Sequence, residues 1–281
     1  MAVLDASLEV ELRELARASR APVFRELDDV AWAVGAVSGP TVYRTRLTAA
    51  GASERIAELT AALELFGPVT WWAGPSATPD DLVDRLIEAG YHLEDDEVGM
   101  AADLEHLVGD LPRPDGLAIE DIERPDGALD DEALEAWLEV NRRTLVWPAE
   151  KLERRRHLYR ADDRRPRPWR HYVAWLGGEP VAASRVLLSH GVAMVHGVCT
   201  VPEARRRGIG AAVTEAALVA ASALGYRVGV LQASSMGQGP YRRLGFRFVA
   251  PYGRFVREPG RTGDSARPTD APSTGAQRPA A

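Results

Sequence analysis

The chain has 281 residues, 46% of them hydrophobic, and a formal net charge of −7, enough apolar material for two packed units rather than one. Its single cysteine, Cys199, excludes an internal disulfide. The acidic balance argues against a broad affinity for nucleic acid and modestly favours cationic partners.

In chain order, the first residues lack a basic stretch followed by an apolar core, so a cytoplasmic protein without a secretory leader is expected. Apolar spacing predicts a helix over 4–20, strands over 30–37 and 42–47, and a helix over 53–65. A strand over 68–73 follows, then a helix over 79–89 stopped by Gly90, and strands over 91–93 and 98–104. Trp71 and Trp72 belong to a core or a domain interface more readily than to a ligand platform. Strand, helix and strand over 69–103 echo the pattern over 226–257. Residues 109–116, rich in Gly, Pro and Asp, read as a linker. The domains expected are therefore 1–110, a smaller α/β unit, then a linker over 111–116, a second unit over 117–257, and a disordered tail over 258–281.

The second unit opens with a strand over 117–122 and helices over 131–141 and 149–160. A loop at 164–168 precedes an antiparallel meander of strands over 169–176, 181–189 and 191–201, turning at Gly177-Gly178 and His190-Gly191. Pro202-Glu203 breaks the last strand. An Ala-rich helix over 211–224 ends at Gly225, followed by a strand over 226–233 and a short helix entering 241–246. No apolar run approaches the ~20 residues of a membrane span. The nearest, 211–224, is interrupted by Glu215.

Two short signatures carry chemistry. The first is Arg205-Arg206-Arg207-Gly208-Ile209-Gly210-Ala211, between a strand and a helix. A helix N-terminus leaves N–H groups unpaired with a partial positive charge, and glycines let a diphosphate come close. A dinucleotide fingerprint would need a third glycine where Val213 stands. A P-loop would need a lysine, and the only lysine is Lys151. A basic turn without a ligand remains the other reading. The second signature is Tyr241-Arg242-Arg243-Leu244-Gly245-Phe246.

In these motifs the chain resembles the GNAT superfamily of N-acetyltransferases. The resemblance rests on Arg205, Gly208 and Gly210 after a strand ending Val198-Cys199-Thr200-Val201, and on Tyr241 before Leu244-Gly245-Phe246. It covers most of 117–257. It implies an α/β (α+β) fold with a mixed, mostly antiparallel sheet flanked by helices, the N-terminal unit being a reduced GNAT-like half without a second site. It implies that Val198, Cys199 and Thr200 pair with a pantetheine arm. It implies further that Arg205, Arg206, Arg207, Gly208, Ile209, Gly210 and Ala211 hold the pyrophosphate of acetyl-CoA and that Tyr241 protonates the departing thiolate. The segment Ser234-Ser235-Met236-Gly237-Gln238-Gly239-Pro240 departs from the family by lacking the asparagine many relatives have there.

His196 is the candidate base. In a regular strand it shares a face with Val198, and an imidazole titrates near neutrality. A buried strand histidine is the competing reading, as ring packing is for Tyr241. Cys199 falls on the opposite face with no histidine at a suggestive spacing, so direct transfer is preferred to a covalent intermediate. The function implied is acetyl transfer from acetyl-CoA to a primary amine in a ternary complex, without a metal, by a monomer or homodimer acting on a small-molecule or peptide amine. The alternatives are a silent acyl-CoA-binding sensor or scaffold, or another acyl-CoA reaction such as thioester hydrolysis or decarboxylation.

Overall fold

The computed structural model describes residues 23–35, 39–109, 111–162 and 167–260. The helix expected over 4–20 and residues 261–281 of the expected tail lie outside the described residues. The strands are β1 (Val23–Glu26), β2 (Val30–Gly35), β3 (Gly39–Thr45), β4 (Val69–Ala73), β5 (His92–Asp103), β6 (Ala118–Asp121), β7 (Trp169–Leu176), β8 (Glu179–Ser189), β9 (Val192–Thr200), β10 (Val228–Ala233) and β11 (Arg247–Arg257). The helices are α1 (Ala52–Leu63), α2 (Leu82–Glu88), α3 (Asp131–Leu145), α4 (Ala149–Ala161), α5 (Ile209–Ala223) and α6 (Gln238–Arg243).

All the described strands form one sheet in the order β1-β2-β3-β4-β11-β5-β10-β9-β8-β7-β6. Only β3–β4 and β9–β10 are parallel, so the sheet is mixed and mostly antiparallel, as expected. It is continuous across the 111–116 segment. β5, from the N-terminal half, pairs with β10 on one side and β11 on the other, while β11 also pairs with β4.

Helices cover the outer face. α3 is N-capped by Asp130, whose carboxylate accepts from the N–H groups of Glu132 and Ala133. It buries Leu134, Trp137, Leu138 and Val140 with α5 against the C-terminal strands. α5 is nearly all small and apolar, so it lies close to the sheet. A Cβ on Gly229 of β10 would meet Leu218 of α5 at 3.0 Å. α1 and α2 cover the N-terminal strands through Ile56, Leu59, Leu63, Leu82 and Leu86. The inner face is a third core. Ala31, Ala33 and Tyr43 of β2 and β3 pack with Trp169, Leu187, Val192 and Met194 of β7–β9. Strands this far apart in the order meet only if the sheet folds over on itself.

Three elements differ from the sequence expectation. β5 is one strand, not two, because the acidic residues between the expected pieces still join the ladder, Asp96 opposite Gly253 and Glu97 opposite Tyr252. Backbone pairing, not side-chain hydropathy, carries the strand through. α3 runs on to Leu145 and stops where Val146 adopts φ 51. β1 has no sequence forecast; it is a short edge strand paired with β2.

His171 on β7 lies among the rings of Tyr159 (4.3 Å), Trp137 (5.1 Å) and Trp169 (6.4 Å). Burial first, then the guanidinium of Arg185 and other arginines, hold its pKa well below the ordinary value. His171 is neutral in the fold, whereas the unfolded chain takes its proton near pH 6.5. Its contribution to stability is complete above about pH 6.5 and is lost as pH falls below it. Denaturation midpoints at about pH 8 and about pH 5 should therefore fall more steeply in the parent than in His171→Gln; equal slopes would remove His171 from the acid response. The ladder yields a second expectation. A chain starting at residue 111 lacks β4 and β5, both neighbours of β11, and should show no cooperative thermal transition. A parent-like melt would show these strands to be dispensable.

Candidate active site

β9 and β10 run parallel and in register from Val192 opposite Val228 to Val195 opposite Leu231, and there the ladder stops. β9 continues to Thr200 while β10 ends at Ala233. At the divergence β9 bulges: Arg185 of β8 faces His196 but Ala183 faces Cys199, so three steps on β9 match two on β8. Gly197, at φ 58, takes up the extra residue. The strands splay, and a cleft of about 710 Å³ opens there. His196, Val198, Gln232, Ser234 and Tyr241 line it.

The opposition of His196 and Cys199 expected of a regular β9 holds across the bulge. His196 lies against Trp169, 5.6 Å between ring centroids, on the inner face. Cys199 is buried on the α3 side, its Sγ 4.0 Å from Asn141 Oδ1. Burial pushes its thiol pKa up, and its side chain does not line the cleft.

The glycine-rich loop follows β9. Gly208 is the N-cap of α5 at φ 80, and no side chain caps this helix. A Cβ on Gly208 would stand 1.9 Å from the carbonyl oxygen of Pro112, so the 111–113 segment and the left-handed backbone both require glycine. A Cβ on Gly210 would lie 3.3 Å from Thr200 Oγ1, tight enough that glycine brings α5 onto β9. Arg205 is exposed, its Nε donating to the Thr200 carbonyl at 3.0 Å. Arg206 and Arg207 are exposed, whereas Ile209 and Ala211 send their side chains into the core. From these last two, only backbone N–H groups can face a ligand. Glu203 pairs with Arg143 of α3 and is a structural charge.

Tyr241 is placed by the way its helix ends. The N–H of Phe246 donates to the Tyr241 carbonyl at 3.0 Å, and that of Gly245, at φ 99, donates to Arg242 at 3.1 Å. This is a Schellman cap, and the rings of Tyr241 and Phe246 supply its apolar contact at 5.9 Å. Gly237 makes room for the phenol ring; a Cβ there would lie 3.0 Å from Tyr241 Cε2. Burial pushes the phenol pKa up to about 12, partly opposed by a hydrogen bond with the Thr214 side chain. Tyr241 is therefore protonated throughout the neutral range.

The N-terminal half repeats the frame without the opening. β3 and β4 pair at Thr41–Thr70 and Val42–Trp71. Where they then part, the chain fills the gap itself. The Thr78 N–H donates to the Thr45 carbonyl at 3.0 Å, the Leu47 N–H to the Thr78 carbonyl at 3.1 Å, and Trp71 Nε1 to Thr45 Oγ1 at 2.9 Å. α2 ends in the same cap, with the Tyr91 N–H donating to the Leu86 carbonyl. Leu86 occupies the position that Tyr241 holds in the other half.

Sequence reasoning gave Trp72 of β4 a packing role and did not single out Glu97, Arg185, Gln232 or Arg254, on β5, β8, β10 and β11, all of which line the cleft. The acidic run from Glu94 to Glu97 was the available signal, but nothing local says that β5 lies beside β10. Among the described residues there is no cluster of three His, Cys, Asp or Glu able to hold a metal, and no helix long and apolar enough to cross a membrane.

Residues 167–248 match the family model described as an acetyltransferase (GNAT) domain. No curated protein sequence matches the chain. Among solved structures, a GCN5-related N-acetyltransferase from Kribbella flavida is similar at 20% identity and a TM-score of 0.62, covering 91% of this chain and 95% of that one. One from Sphaerobacter thermophilus is similar at 18% identity and a TM-score of 0.60, with 83% and 82% covered. A tandem GNAT protein from the clavulanic acid biosynthesis pathway is 15% identical with a TM-score of 0.58, covering 92% and 97%. The family match falls on the segment that bears the splay, the glycine-rich loop and Tyr241, so that residues 167–248 match a GNAT domain, and the solved structures share the fold of the chain around it.

Proposed function

We propose that this protein is an N-acetyltransferase that moves an acetyl group from acetyl-CoA to a primary amine by direct attack in a ternary complex. One observation carries the reading: the open splay of β9 from β10 holds the half-buried Tyr241 in one cleft, and β9 leads from that cleft to the uncapped N-terminus of α5. The residues fit acetyl-CoA. The amides of 208–211 and the guanidiniums of Arg206 and Arg207 suit a pyrophosphate. The freed edge of β9 at Val198 to Thr200 suits the amides of a pantetheine arm, and a Val198 N–H on the thioester oxygen would stabilise the developing oxyanion.

The chemistry must dispose of two protons. A cationic amine passes one to His196, and its nitrogen then attacks the thioester carbonyl carbon. As the C–S bond breaks, the Tyr241 O–H proton goes to sulfur. The phenol is replenished by the second proton, from the acylated nitrogen. A phenol held at about 12 is a weaker acid than a thiol by roughly three to four units. Tyr241 therefore donates in step with C–S cleavage rather than to a free thiolate. The N-terminal half, closed by its own chain at Thr45–Thr78, is read as a reduced GNAT-like half without a second CoA site.

Calorimetry should thus give one CoA bound per chain; two equivalent sites would overturn the reduced-half assignment. Gly210→Asp adds bulk and negative charge at the α5 N-terminus. It should fold with CoA affinity lowered about tenfold or more, and parent-like affinity would remove the loop from the site.

Tyr241→Phe should keep CoA affinity while kcat falls roughly tenfold to a thousandfold, the usual range of general-acid effects. His196→Ala should lose the acidic limb of the pH–rate profile. With chemistry rate-limiting, an intact kcat makes Tyr241 a packing residue, and an unchanged limb moves the base elsewhere.

A further inference from the structure

The cleft is not built by the C-terminal half alone. Val98 opposite Ala233 is the last rung between β5 and β10. Glu97 is the next residue of β5, level with the point where β10 gives way to Ser234 and the turn into α6. Its register partner on β11 is Tyr252, buried in the inner core. Register partners of an antiparallel pair share a face, so Glu97 stands on the inner face, where His196 lies against Trp169. Glu97 lines the cleft together with Tyr241 and His196, and its charge is among those felt at the Tyr241 phenol.

The other charges of the cleft are arginines. Arg254 pairs with Glu94 at 2.8 Å and lies over Trp72, 6.0 Å from its centroid. Arg185 lies over Trp169, 4.6 Å from its centroid. Trp72 adds an aromatic side chain to the lining of the same cleft.

We propose that Glu97 anchors the ammonium group of the acceptor, so that the site selects cationic primary amines through a residue of the N-terminal half, with Trp72 receiving the apolar body. The proposal rests on the acetyltransferase reading above and names its acceptor class. Glu97 acts as a positioning residue. It holds the ammonium beside His196, which takes the proton, and no bond is made to Glu97. The N-terminal half is then a specificity element with no chemistry of its own.

Glu97→Gln keeps the shape and removes the charge. KM for cationic amines should rise about tenfold to a hundredfold, the size of one hydrogen bond to a charged group. The kcat at saturation should move less than about threefold, and CoA affinity should be unchanged. A binding measurement needs no turnover. CoA-saturated parent should bind benzylamine in preference to benzyl alcohol, its neutral near-isostere, and the preference should weaken with added salt. Glu97→Gln should lose that preference. The proposal is overturned if the variant keeps the parent's KM and preference, or if the parent prefers neither probe. A salt-insensitive preference in the parent also overturns it, which keeps the test decisive should Glu97→Gln not fold. Failure of the acetyltransferase reading looks different: parent and variant alike release no thiol with any amine, while the calorimetric comparison still decides the role of Glu97.

Discussion

The ladder between β5 and β11 is the constraint on which the rest of the molecule depends. β11, the last strand of the chain, sits between β4 and β5, and β5 sits between β11 and β10. Neither half can complete its sheet alone, because each places its long final strand against the other. A buried strand needs partners for both edges, and here those partners come from the opposite side of the 111–116 segment. The inner core follows from the same pairing. Once the two halves share strands, folding the sheet over brings Ala31 and Tyr43 onto Trp169 and Met194 and removes both apolar faces from water.

The two halves then apply one local rule with opposite outcomes. Each contains a parallel pair that diverges at one end. In the N-terminal half the freed backbone of β3 bonds with Thr78, and Trp71 reaches Thr45, so the gap is filled by the chain itself. In the C-terminal half the bulge at Gly197 turns β9 away, and the gap stays a cleft. The difference lies in which residues can reach the freed edge. The substitution of leucine for tyrosine at the matching cap position, Leu86 against Tyr241, accompanies it.

Several parts of this arrangement are written locally. Tyr241-Arg242-Arg243-Leu244-Gly245-Phe246 is both a chemical signature and a cap: Gly245 can adopt φ 99 without strain, and Phe246 closes onto Tyr241. Gly208 is likewise fixed by its left-handed backbone, although the Pro112 carbonyl that crowds it comes from a distant segment. Helix α5 was legible because small apolar residues bounded by glycines leave few other conformations, and the meander β7–β9 because its turns carry glycine pairs or His190-Gly191.

By itself, then, the sequence determined the local grammar: strand, glycine-rich turn and Ala-rich helix, the capped helix of Tyr241, and the placement of His196 near Val198. Each rests on backbone conformations set by neighbours within a few residues. Tertiary structure alone decided the rest. It made β5 a single strand through its acidic residues, because ladder bonds to β11 outweigh their poor strand preference. It put a bulge at Gly197, where β9 parts from β10, because the extra residue exists only relative to the rungs of β8. It brought Glu97 and Trp72 to the cleft of Tyr241, because register between strands distant in sequence is fixed by hydrogen bonds across the whole sheet, which no local pattern encodes.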